Sequence, residues 1–169
     1  TVVAPDETFQ VVLSNLAAGT PARAVTLGVA QATGTIVDDD AARRTIAVTQ
    51  QAAEDASHGT FTITTNKQMS QPVTVLLAIS GTADANADYA AIGSSFTFPA
   101  LTDSVTIPVT VLPDDVIEGD ETVIVQILST SDPAARPDTP DAATLTITDN
   151  DNATVTIVAS GTNGSEPGA

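Results

Sequence analysis

The 169-residue chain carries 21 Asp and Glu against five Lys and Arg, a formal charge of −16, so its surface repels phosphate backbones and anionic lipid headgroups. Apolar residues reach 42% but aromatic ones only 3%, which leaves Val, Ile, Leu and Ala to build a core and suits a thin β-sandwich. Cysteine is absent, removing disulfides and thiolate metal sites, and no signal peptide, lipid-anchor motif or apolar run of membrane-spanning length is evident.

Strand patterns dominate and no window carries helical periodicity. Residues 8–16 alternate, with Phe9, Val11 and Leu13 on one face, and residues 24–37 run into the triplet Asp38-Asp39-Asp40. A full set of strands follows. Thr45–Thr49 turns Ile46 and Val48 inward, Thr60–Thr65 turns Phe61 and Ile63, and Val73–Ser80 turns Val75, Leu77 and Ile79. A short strand covers Ser95–Phe98, and Ser104–Leu112 presents Val105, Ile107, Val109 and Val111. Pro108 lacks a ladder donor, which assigns that strand to a sheet edge or a bulge. Thr122–Ser129 (Val123, Val125, Ile127) and Ala142–Thr148 (Leu145, Ile147) complete the set. Seven strands in about 105 residues describe an all-β, immunoglobulin-like, seven-stranded β-sandwich.

The pattern repeats. Asp6-Glu7-Thr8-Phe9 leads to Asp38-Asp39-Asp40 as Asp120-Glu121-Thr122-Val123 leads to Asp149-Asn150-Asp151. Residues 1–40 therefore read as the C-terminal strands of a preceding repeat and 45–151 as a complete one. Residues 152–169 read as the start of a third, because Thr154–Val158 resembles Thr45–Thr49. The expectation is a portion of a longer tandem array.

Fourteen of the 21 acids cluster at 38–40, 54–55, 84, 88, 114–121 and 149–151, more negative charge than five bases can pair. In the complete repeat they fall in four loops expected at one end of the sandwich. Ca²⁺ takes about six to eight oxygens in loose geometry, which four such loops can supply. Zinc would require His or Cys, and His58 is the sole histidine; beside Gly59 it reads as a solvated loop residue.

Ala87-Asp88-Tyr89, then Asp114-Asp115-x-x-Glu118-x-x-Glu121, then Thr146-Ile147-Thr148-Asp149-Asn150-Asp151 resembles the Calx-β domain family. That family is found in sodium–calcium exchanger regulatory loops, an integrin subunit and very large bacterial surface proteins. The resemblance implies metal ligands at Glu54, Asp88, Asp114, Asp115, the Val116 carbonyl, Glu118, Glu121, Asp149 and Asp151. In the preceding repeat the resemblance also implies metal ligands at Glu7, Asp38, Asp39 and Asp40, while Ala4 stands opposite Glu118. Two departures lower the charge: Pro113 occupies the start of the acidic run, and Asn150 the middle of the triplet.

No EF-hand loop, β-roll nonapeptide, Gly-x-Ser-x-Gly elbow or phosphate-binding Gly-rich loop is present. The absence of Trp and a single Tyr leave no sugar-stacking platform for paired carboxylates. The expected role is thus binding rather than catalysis: a calcium-rigidified module of a large extracellular or cell-surface bacterial protein, an adhesin spacer. Its expected partners are calcium ions and adjacent repeats or other copies of the chain, with no nucleic acid and no membrane insertion. Two alternatives remain: a filament subunit completed by strand exchange between copies, and an intracellular calcium-sensing domain.

Overall fold

A computed structural model describes residues 2–14, 26–158 and 160. It contains β1 (Glu7–Val12), β2 (Gln31–Ile36), β3 (Ala42–Gln50), β4 (Ala52–Ala53), β5 (Gly59–Thr65), β6 (Val73–Gly81), β7 (Ser95–Phe98), β8 (Ser104–Val109), β9 (Glu121–Thr130), β10 (Ala135–Pro137) and β11 (Ala142–Thr148).

Strands β3 to β11 form two facing sheets, ordered β10-β3-β5-β8 and β4-β11-β9-β6-β7. The period-2 patterns place Ile46, Phe61, Ile63, Ile107 and Val109 from one sheet against Val75, Leu77, Val123, Val125, Ile127 and Leu145 from the other. β-Branched side chains pack well on such pleated faces. Pro108 sits opposite Thr60 on β8, which pairs only with β5 and is a sheet edge, as the missing donor requires.

Two short strands escape the alternation. β10 pairs in parallel with β3 (Ala135 opposite Ala42), and β4 in parallel with the end of β11 (Ala52 opposite Ile147). β3 also begins three residues before Thr45, with Arg44 at an inward position and fully buried. Its guanidinium lies 4.7 Å from the centroid of the Phe98 ring. Burial pulls its pKa below the usual value, partly offset by Asp132.

β1 and β2 form a separate antiparallel pair with Glu7 opposite Ile36. Phe9, Val11 and Leu13 are exposed there, because among the described residues no second layer covers this two-stranded sheet. The remainder of the expected strands over 8–16 and 24–37 includes residues outside those described. Residues 154–158 do not form the expected strand; Val155 and Ile157 are 89% and 95% exposed, since no strand among the described residues pairs with them. Among the described residues, no helix is long and apolar enough to cross a membrane.

Candidate metal centre

The acidic loops meet at the end of the sandwich reached by the C-terminus of β11. Parallel pairing of β4 with β11 brings Glu54 to the terminal triplet: the Glu54 N–H donates to the Thr148 carbonyl at 3.1 Å. Asn150 Nδ2 donates to the Glu54 carbonyl at 3.1 Å. An aspartate at position 150 could not make that tie while ionised, so this departure from an all-acid triplet has a structural role.

Asp149 organises the neighbouring loop. Its Oδ2 accepts from the peptide N–H groups of Glu118 (2.8 Å) and Gly119 (2.9 Å), and its Oδ1 from Asp151 (2.7 Å). The donors of Asp151 and Glu118 hold this carboxyl below its ordinary pKa. Gly119 has φ +113°, a conformation that side chains rarely adopt. One Asp114 oxygen accepts from the Val116 N–H at 2.7 Å, closing a short turn.

Two carboxylate groups result. Glu54, Asp149 and Asp151 each offer an oxygen within 4.8 Å of the others, as do Asp88, Glu118 and Glu121. In the first group Glu54 is buried, and burial, then Asp114, Asp149 and Asp151, push its pKa up. Glu54 Oε2 and Asp151 Oδ2 are buried with no hydrogen-bond partner among the described residues. Such orphaned acceptors are costly unless a cation or donor meets them. Asp151 is also raised, by desolvation and then by Asp149, Asp115, Asp114 and Asp55.

The second group is seated by a tight turn. The N–H groups of Ala87 and Asp88 donate to the Asp84 carbonyl at 3.1 and 3.0 Å, and the Asp84 N–H donates to the Asp88 carboxylate. Buried Tyr89 bridges to Val111, and the Leu112 N–H donates to the Asp88 carbonyl at 2.8 Å. Asp88 then faces Glu121 at the start of β9. Its hydrogen bond, followed by burial and neighbouring charge, pushes the Glu121 carboxyl up to about 7. Glu121 therefore keeps its proton to near neutrality. Glu118, although exposed, is raised by partial desolvation and then by Asp88, Asp114, Asp149 and Asp84.

Of the residues implied by the sequence motifs, Glu54, Asp88, Glu118, Glu121, Asp149 and Asp151 are gathered into these groups. Asp114 and Asp115 lie within electrostatic reach of them. Val116 stands in the same loop, tied through its N–H. Asp84, which the motif does not single out, acts on both Glu118 and Glu121; the only sequence signal for it is an acid four residues before Asp88. Glu7, Asp38, Asp39 and Asp40 belong to neither group. They lie at the opposite end of the sandwich, where Asp38 accepts from Ala4 and Asp40 pairs with Lys67.

A family model described as the Calx-beta domain matches residues 1–40 and 42–151. Similar crystal structures include the apo form of the Calx CBD1 domain, 22% identical with a TM-score of 0.56, covering 66% of this chain and 100% of that one. CBD12 from CALX1.2 is 22% identical (TM-score 0.55; 64% of this chain and 46% of that one). The calcium binding domain CBD12 of CALX1.1 is 23% identical (TM-score 0.53; 63% and 44%). The match thus spans less than half of each CBD12 chain. No curated protein matches this sequence. These likenesses agree with the immunoglobulin-like sandwich built above.

Proposed function

The chain belongs to the Calx-beta domain family, and on that premise we propose that the acidic end of its sandwich binds Ca²⁺ and stiffens the junction with a neighbouring module. Glu54, Asp149 and Asp151, assisted by Asp114 and Asp115, would hold one ion; Asp88, Glu118 and Glu121 would hold another, with the Val116 carbonyl as a further donor. The donor set fits: all-oxygen, mostly carboxylate, on loops with loose geometry. Bound calcium would supply the positive charge that the five basic residues of the chain cannot. The observation that carries this reading is the pair of buried, unpartnered oxygens, Glu54 Oε2 and Asp151 Oδ2, within one three-carboxylate group.

The physical role follows from charge. Without a counter-ion, like charges repel across four loops and oppose their closure. Ligation ties the 54–55, 84–88, 114–121 and 149–151 segments together, two residues before Ala153. A ligand that binds only the folded state adds RT ln(1 + [L]/Kd), about 2.7 kcal/mol at a hundredfold excess over Kd. A stiff, disulfide-free, strongly acidic spacer suits an extracellular or surface protein such as an adhesin. The test is the melting temperature in millimolar calcium and in chelator: a marked rise with calcium is expected, and identical values would overturn the reading. Titration separates the sensor alternative, because sensors bind at about 0.1–10 μM and extracellular modules as weakly as about 0.1–1 mM.

One observation favours a second reading. The β1–β2 pair leaves Phe9, Val11, Val12 and Leu13 exposed, a surface that strands of another copy would cover in a filament. Sedimentation of the native material distinguishes them, as polymers of short chains would support strand exchange and a single long polypeptide the spacer.

A further inference from the structure

The two acidic ends of the chain share a hydrogen-bond pattern that fixes their register residue by residue. Asp38 Oδ2 accepts from the Ala4 N–H and its Oδ1 from the Asp40 N–H. Asp149 Oδ2 accepts from the Glu118 N–H and its Oδ1 from the Asp151 N–H. Ala4 therefore corresponds to Glu118, and Val3 to Ile117.

Val3 is not idle. It is 2% exposed and packs in a cluster with Ala42, Met69, Val73 and Ala135, at the base of the sandwich that follows it. The backbone joins in: the Val3 N–H donates to the Gln68 carbonyl, and the Ser70 N–H to the Val3 carbonyl, both at 2.8 Å. An ion pair between Lys67 and Asp40 flanks the contact. Ile117, the counterpart of Val3, is 54% exposed on the loop between Asp115 and Glu118.

We infer that Ile117 is the apolar knob of an inter-module joint, and that its occupant is the base of a following module of the same kind. That base would present the equivalents of Ala42, Met69, Val73 and Ala135 as the socket. The same register supplies the connection: Asp151 corresponds to Asp40, so Ala153 falls at the position of Ala42 and Thr156-Ile157 at that of Thr45-Ile46. Isoleucine is larger than valine by one methylene. The flexible Met69 side chain in the socket wall can yield to it. Burying an exposed isoleucine and four socket side chains removes apolar surface from water, and the joint needs no metal ion of its own, so it stands apart from the calcium reading.

The chain holds a single methionine, Met69, which gives the socket its own reporter. In a fused chain of residues 1–151 followed by a second copy of residues 41–169, a ¹³C-methyl-methionine NMR spectrum contains two signals, one per socket. The proposal expects Val3→Ser to move only the first-socket signal toward the position of an exposed methionine, and Ile117→Ser to move only the second. An Ile117→Ser spectrum in which neither signal moves, while Val3→Ser moves one, would overturn it. So would a loss of self-association of the parent chain on Ile117→Ser with both fused-chain signals unchanged, since that outcome assigns the knob to contact between copies. Ile117→Val, which restores the residue type seen at position 3, is expected to keep the second signal in place and thereby exclude a folding defect as the cause.

Discussion

The Glu118 N–H donates to Asp149 Oδ2 at 2.8 Å, joining segments 31 residues apart. This bond, with those from Gly119 and Asp151, makes Asp149 both an organiser of the 114–121 loop and a member of a carboxylate group. Asp149→Ala is therefore expected to lower calcium affinity by about 10- to 100-fold through lost loop orientation as well as lost charge. Asp149→Asn keeps one acceptor and should lose less. Calorimetric titration of the two variants checks the order.

The raised pKa of Glu121 makes metal-free stability depend on pH. The folded-state pKa of Glu121 is raised from 4.5 to about 7, so between those values the folded chain binds more protons than the unfolded one. Its contribution is present below about 4.5 and is lost as pH rises toward 7. Glu54, Glu118 and Asp151 are shifted in the same direction. In chelator, the melting temperature is expected to fall across this window. In calcium the fall should be smaller, because ligation favours the ionised carboxylates. Glu121→Gln should flatten the chelator profile.

Gly119 occupies a backbone region costly for any residue with a Cβ, although space around it is open. Gly119→Ala should therefore destabilise by strain alone, on the order of 1–3 kcal/mol. Denaturant unfolding measures this, and the calcium-dependent increment should fall with it because Gly119 is one of the Asp149 donors.

Arg44 offers a contrasting case far from the two carboxylate groups. Its three guanidinium nitrogens are buried without hydrogen-bond partners among the described residues, and the group stacks on Phe98. Replacing a buried, poorly compensated charge by an apolar side chain of similar length is often neutral or stabilising. Arg44→Met should leave stability within about 1 kcal/mol of the parent or raise it, whereas Arg44→Ala should cost about 2–4 kcal/mol through lost packing. Denaturant midpoints of the two variants decide between packing and charge.

The long strands were legible because strict alternation of Val, Ile and Leu with Thr leaves one face to bury; Ile46, Phe61 and Ile63 in one sheet and Val123, Val125 and Ile127 in the other fall where that rule sends them. Pro108 likewise announced an edge. The start of β3 is not legible because the apolar alternation begins only at Ile46 and gives no signal for Ala42–Arg44, although Arg44 turns inward. β4 and β10 are two and three residues long, too short to carry a period, and their parallel pairing depends on tertiary context. Thr154–Val158 has the composition of a strand but no pairing partner among the described residues. At the candidate metal centre the acids were visible, but their division into two groups was not. It depends on the β4–β11 register and on the Asp84–Asp88 turn, which also brings Asp84 into play.

The central claim is that carboxylates from separate loops act together on calcium, and titration calorimetry of the parent chain beside Glu54→Gln and Asp88→Asn tests it most directly. Saturable calcium binding by the parent is predicted, with Glu54→Gln weakening the events at one carboxylate group and Asp88→Asn those at the other. Absence of binding at millimolar calcium, or binding that neither substitution alters, would contradict the account.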